Sequence, residues 1–132
     1  GDCGKVTGGG WIVGTPSGAK GTFGMSGGIR RGEFWGHLNF IDHGTGMKVR
    51  STAVTGFQTD PANPQGRIID YAVTIDGTVG TARLLVVDEG EPGRRDVFDL
   101  TLSSGYRAAG ELGGSRTGGG NIQVHKCPPG WE

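Results

Sequence analysis

The sequence predicts an all-β fold, a single antiparallel β-barrel or β-sandwich of about eight or nine short strands joined by glycine-rich turns. Glycine supplies 29 of the 132 residues, which is typical of a chain rich in turns and positive-φ positions. The longest glycine-free run, residues 94–104, alternates apolar and polar side chains with a period of two, the pattern of a half-buried strand. Turn signals recur about every ten residues, as they do in sandwiches and barrels.

The clearest element is a hairpin of residues 34–42 and 47–57 around a loop at 43–46. Pairing Asp42 with Met47 sets the register, which puts Phe40 opposite Val49. It continues with Leu38 opposite Ser51, Gly36 opposite Ala53 and Phe34 opposite Thr55, a mostly apolar or small face that we expect to line the core. The opposite face carries three apolar side chains that we expect to point outward: Trp35, Ile41 and Val54.

A second hairpin is predicted for residues 67–75 and 80–88, because Asp76-Gly77 between two apolar runs is a strong turn signal. Residues 96–102 follow as a strand, and shorter strands are expected at 6–13, 21–29, 106–112 and 121–126. The segment 59–65, with Pro61 and Pro64, is expected to be a surface loop. Nothing divides the chain, so residues 1–132 are interpreted as one domain with a C-terminal tail at 126–132.

The two cysteines, Cys3 and Cys127, lie at opposite ends of the sequence. In an antiparallel barrel or sandwich the first and last strands often lie side by side, which would allow an intrachain disulfide; an intermolecular disulfide and free thiols remain alternatives. A bridge closing so long a loop would contribute about 4–5 kcal/mol in the chain-entropy model. Either kind of disulfide implies an oxidising compartment.

Several segments together resemble the post-COAP domain of exported bacterial proteins. They are residues 3–12 (CGKVTGGGWI), 36–46 (GHLNFIDHGTG) and 118–125 (GGGNIQVH), with shorter matches at 21–24 and 89–93. The resemblance spans essentially the whole chain. It implies export, an all-β module and a position at the bacterial cell surface or in an extracellular matrix, and it supplies no catalytic residues.

Composition and motifs argue against several functions. Thirteen basic residues balance thirteen acidic ones, so no electrostatic field favours nucleic acid. No run approaches the roughly 18 apolar residues of a membrane span, so membrane insertion is not expected. Residues 24–28 match G-x-S-x-G, but no helix follows, as a nucleophile elbow requires. We expect no enzyme, cofactor or bound metal, and Asp42 and His43 are interpreted as turn-capping residues.

An acidic turn is the one weak candidate for calcium. Clustered carboxylates can hold Ca²⁺, but their spacing matches no EF-hand, and the neighbouring Arg94 and Arg95 can neutralise them. A solvated turn is therefore the preferred interpretation of this group, which comprises Asp88, Glu89, Glu91 and Asp96.

The outward apolar residues favour a non-enzymatic structural module, a matrix, sheath or fibre subunit that self-assembles through β-surface and tail contacts. The expected interface residues are Trp11, Trp35, Ile41, Val54 and Trp131, and the expected partners are copies of the same chain. One alternative is a module that binds carbohydrate, for example a cell-surface glycan, or another surface ligand, stacking it on Trp11, Trp35 or Tyr106. A further alternative is a barrel with a small apolar ligand inside.

Overall fold

The computed structural model describes residues 3–90 and 93–132, which contain nine antiparallel strands in one curled sheet. The strands are β1 (Gly4–Ile12), β2 (Gly21–Arg30), β3 (Glu33–Asp42), β4 (Lys48–Asp60), β5 (Asn63–Ile75), β6 (Thr78–Val87), β7 (Val97–Leu102), β8 (Arg107–Glu111) and β9 (Gly120–Lys126). Their order is β8-β7-β6-β5-β4-β3-β2-β1-β9. The predicted all-β antiparallel fold is confirmed. Within the described ranges the only helical pieces are two 3₁₀ turns, and none is an apolar helix of membrane-spanning length.

Both predicted hairpins form. Strands β3 and β4 pair Asn39 with Arg50 and Phe40 with Val49, as expected. Strands β5 and β6 meet at a two-residue turn in which Asp76 has φ 48° and Gly77 has φ 83°. Two successive positive-φ residues are the requirement of the tight hairpin turn that Asp-Gly favours.

Strand β4 departs from the predicted register beyond Arg50. The Leu38 N–H donates to the side-chain oxygen of Ser51 at 2.7 Å, and register shifts against β5 follow between residues 51 and 53 and between 54 and 56. An extra residue in a strand reverses which side chains face inward. Val54 therefore pairs with Tyr71 and packs against the core, so the prediction that it points outward was wrong.

Two further expectations for this part of the sheet were wrong. Phe34, expected to line the core, is 51% exposed and lies second in β3, next to the β2–β3 turn. The segment 59–65, expected to be a loop, instead extends β4 and β5 to a turn at Pro61 and Ala62, with Asp60 paired with Asn63.

Aromatic rings fill the middle of the curled sheet. Phe23 stacks on Phe98 with ring centroids 4.0 Å apart, and Phe40 stacks on the same ring at 5.9 Å. Opposite walls approach closely where β2 carries glycine, since a Cβ at Gly27 would lie 2.8 Å from a side-chain carbon of Ile69. Side chains thus occupy the centre of the space that the predicted internal ligand would need.

Contacts within the chain join the two edges of the sheet. At edge strand β8, the Ala109 N–H donates to the Gly14 carbonyl at 3.0 Å, an approach that leaves no room for a Cβ at position 14. At edge strand β9, the Ile122 N–H donates to the Asp96 carboxylate at 2.7 Å. The Val124 N–H donates to the Asp88 carboxylate at 2.9 Å. The two carboxylates thus accept hydrogen bonds from backbone N–H groups of β9 that would otherwise be free to pair with a strand of another chain.

The chain ends are linked to each other and to the sheet. Cys3 and Cys127 form an intrachain disulfide with a Cα–Cα distance of 5.0 Å, which confirms the first of the three alternatives. Beyond it the tail folds back over the β2–β3 turn, where the Arg31 N–H donates to the Trp131 carbonyl and the Arg31 Nε donates to the Gly130 carbonyl at 2.9 Å.

Candidate binding surfaces

The acidic turn is part of the sheet closure. Asp96 is fully buried, and its two carboxylate oxygens accept from the N–H groups of Glu89 and Ile122, both at 2.7 Å. Asp88 accepts from Gly90 and Val124. Glu91, the fourth candidate, lies outside the described residues. Within residues 3–90 and 93–132 no cluster of His, Cys, Asp or Glu is arranged to hold a metal ion.

Each histidine contacts a hydroxyl group on the outer face of the sheet. His43 Nε2 lies 2.8 Å from the Thr22 hydroxyl, and His125 Nε2 lies 3.4 Å from that of Thr7. Asp42 does cap the turn, because its carboxylate accepts from the Gly44 N–H at 2.8 Å, whereas the His43 ring contacts β2 instead.

The serine of the G-x-S-x-G match makes a hydrogen bond to a histidine. Ser26 Oγ lies 2.8 Å from His37 Nδ1 and also accepts from the His37 N–H at 3.1 Å. Ser26 is 4% exposed and sits in the middle of a strand, not at the sharp strand-to-helix turn that presents a nucleophile. In the part of the chain that the structure describes, no carboxylate hydrogen-bonds to the His37 ring. The pair lacks the oriented base of a catalytic triad, and the absence of enzymatic activity stays a prediction.

Two tryptophans pack together near the start of β3, beside the β2–β3 turn. The Trp131 ring packs edge-on against Trp35 with centroids 4.9 Å apart, and Lys5 and Arg30 lie 5.3 and 5.6 Å from its centroid. The exposed Phe34 precedes Trp35 in the strand. Phe34 and Trp35 are adjacent in the strand and therefore point to opposite faces of the sheet. We call Phe34, Trp35 and Trp131, all near the β2–β3 turn, the aromatic end. Trp131, one of the expected interface residues, thus packs against Trp35 of its own chain.

The other predicted surface residues lie elsewhere on the outer face. Trp11 is partly exposed, with Lys20 Nζ 4.2 Å from its ring centroid, and Ile41 lies beside Thr22 in a neighbouring shallow recess. Tyr106, a predicted stacking platform, instead donates its hydroxyl to Asp42 at 2.8 Å and packs on Phe40. Of the three predicted platforms, Trp11 alone has a ring not engaged by another aromatic residue of the described chain.

Burial raises the pKa of both tyrosines. Tyr71 is 1% exposed and donates to the Ser26 carbonyl at 2.7 Å, so burial raises its pKa far above the usual range. Burial also raises the pKa of Tyr106, with the Asp42 carboxylate adding to the effect. Both phenols therefore remain neutral hydrogen-bond donors.

A pocket that the sequence did not predict lies beside the disulfide. It has a volume of about 340 Å³ and is formed where the β1 and β9 ends meet the β4–β5 hairpin. Its lining includes Phe57, Arg67, His125 and Lys126. These residues are far apart in sequence and carry no motif spacing, so only the folded arrangement brings them together.

Comparison with protein-family models, with curated proteins and with solved structures gives no significant match. The resemblance to the post-COAP domain therefore stays a prediction.

Proposed function

We propose that this chain is a non-catalytic, exported structural module that associates with copies of itself through the aromatic end. The observation that carries the proposal is Phe34, a large apolar side chain that is 51% exposed in β3, one residue before Trp35 of the Trp35–Trp131 pair. Contact with a neighbouring molecule would remove this exposed apolar surface from water, which favours association. The disulfide supports export, because such bridges persist in oxidising compartments.

Charge and edge closure favour another copy as the partner, joined by its ends. The chain has no net charge, so copies do not repel one another over long range. Both edge strands are engaged within the chain, at Ala109 and at Ile122, which disfavours assembly by strand addition. The remaining way for copies to associate is through side chains at the ends of the strands.

A second exposed apolar residue gives the association a direction. Val79 is 85% exposed and follows the β5–β6 turn, whereas Phe34 follows the β2–β3 turn. In an antiparallel sheet these two turns lie at opposite ends of the strands. A contact between unlike ends repeats from copy to copy and builds a filament, whereas a contact between like ends closes into a dimer.

The contact is expected to be weak. Full burial of a phenylalanine contributes about 1.5–3 kcal/mol, so covering the exposed half of Phe34 contributes about 0.8–1.5 kcal/mol. Removing this side chain should weaken association about four- to thirteenfold. The two tryptophans already bury part of their surface against each other and add less.

Sedimentation velocity over a wide concentration range tests the proposal, with Phe34→Ser and Val79→Ser as matched exposed substitutions. Growth of large species that both substitutions suppress supports a filament with unlike ends. A dimer lost only in Phe34→Ser supports like-end contact. A wild-type chain that stays monomeric at every concentration, or association unchanged in Phe34→Ser, overturns the proposal. Circular dichroism of each variant checks that the fold is kept.

A further inference from the structure

We propose that the pocket beside the disulfide binds a carboxylate-bearing sugar, with Arg67 receiving the carboxylate. The pocket measures about 340 Å³, near the lower end for small-molecule sites and suited to a single sugar unit. The Cys3–Cys127 bridge forms part of its wall, and the β4–β5 hairpin forms the opposite wall.

The charge of the pocket is one-sided. Its charged lining residues are Arg67 and Lys126, and the lining contains no aspartate or glutamate. His125 also borders the pocket, but its ring contacts Thr7 on the outer face. Over the whole chain acidic and basic residues balance, so this excess is local. An anion entering the pocket meets attraction without a competing carboxylate.

Arg67 differs from the paired arginines on the outer face. Arg83 and Arg107 form two-point ion pairs with Asp70 and Asp99 in exposed positions. Arg67 is only partly exposed, and its Nη1 donates to the Pro64 and Gly66 carbonyls, both at 2.9 Å.

The remaining nitrogens of Arg67 suit a carboxylate. Within residues 3–90 and 93–132 its Nε and Nη2 have no hydrogen-bond acceptor, and no carboxylate lies within 4.0 Å of the guanidinium. Burial without a counter-ion lowers the pKa of Arg67, the direction expected of a desolvated cation. A bound carboxylate would replace the lost hydration with two charge-assisted hydrogen bonds.

The other lining groups match a sugar ring better than a bare ion. Phe57 supplies an apolar surface for the carbon face of a sugar, and Thr59, on the same face of β4 and paired with Arg67, supplies a hydroxyl partner. A small inorganic anion would interact only with the positively charged side chains and would leave the apolar and hydroxyl-bearing lining groups without a partner. The combination therefore points to a ligand with one acidic group and several hydroxyls.

Isothermal titration calorimetry with galacturonate, galactose and sodium sulfate tests the proposal. The titrations use the Phe34→Ser chain, so that self-association contributes less heat. We expect galacturonate to bind at least about tenfold more tightly than galactose, because galacturonate alone can form charge-assisted hydrogen bonds with Arg67. Arg67→Gln should remove this preference, and Lys126→Gln, at an exposed position, should weaken galacturonate binding without affecting folding.

Arg107→Gln serves as the matched control, because it removes an arginine outside the pocket and should leave galacturonate binding unchanged. Equal affinity for galactose and galacturonate, no heat with galacturonate, or sulfate binding without galacturonate binding overturns the proposal. So does a preference for galacturonate over galactose that Arg67→Gln leaves unchanged.

Discussion

Replacing Asp96 by alanine tests how the sheet edge is closed. The side chain is fully buried and accepts from the N–H groups of Ile122 and Glu89, both at 2.7 Å. Hydrogen bonds to a charged group contribute about 1.5–3 kcal/mol each, and a buried donor left unpaired costs a similar amount. The substitution should therefore lower the free energy of unfolding by about 3–5 kcal/mol, a large part of the roughly 5–15 kcal/mol of a typical domain.

Urea unfolding of the oxidised protein measures this loss. With an m value of about 1.5 kcal/mol/M, the midpoint should fall by about 2–3 M. The matched control is Asp99→Ala, which removes an ion pair with Arg107, a side chain that is 65% exposed. That pair should contribute no more than about 1 kcal/mol.

Hydrogen exchange locates the same effect. In Asp96→Ala the Ile122 amide should exchange faster, while amides in the β5–β6 hairpin should keep their protection. Equal losses of stability in Asp96→Ala and Asp99→Ala, or an unchanged Ile122 amide, would refute the reasoning that this carboxylate closes the edge.

Three further perturbations follow. Serine at both Cys3 and Cys127 should lower the free energy of unfolding by about 4–5 kcal/mol, measured by urea unfolding. An unchanged urea midpoint would contradict a stabilising role of the disulfide. Gly27→Ala should cost about 1–3 kcal/mol, because its Cβ would lie 2.8 Å from a core side chain, whereas Gly24→Ala, with open space around it, should not; equal thermal midpoints would argue against this packing. The raised pKa of Tyr71 means that its contribution is complete below about pH 10 and declines as pH rises, by up to about 1.4 kcal/mol per pH unit. Tyr71→Phe should flatten that decline, and an identical alkaline unfolding curve would contradict it.

The strands were largely predictable because their signals are local. Alternation identifies which residues of β5 face the core, and Asp76-Gly77 identifies its turn. The same local rules fail in β4, where bulges turn Val54 inward. A bulge depends on how the partner strand bends, and neither Ser51 nor Ala53 is a residue type that predicts a bulge from sequence.

The candidate sites were less predictable because they depend on contacts between distant residues. Cys3 and Cys127 could be paired from topology, but the acidic turn could not be assigned to edge closure without knowing that β9 lies beside it. Nothing in the sequence marks Arg67 as a binding residue. It is a candidate because its guanidinium is partly buried without an acidic partner, and that is a property of the folded chain.

Hydrogen–deuterium exchange of the wild-type chain at low and at high protein concentration tests the central claim most directly. Association through the aromatic end predicts that added protection at high concentration is confined to peptides covering residues 33–35 and 128–132, with peptides around Val79 joining them if unlike ends meet. Added protection in β8 or β9 would mean that copies pair through the sheet edges. That result, or no concentration dependence anywhere, would contradict the account.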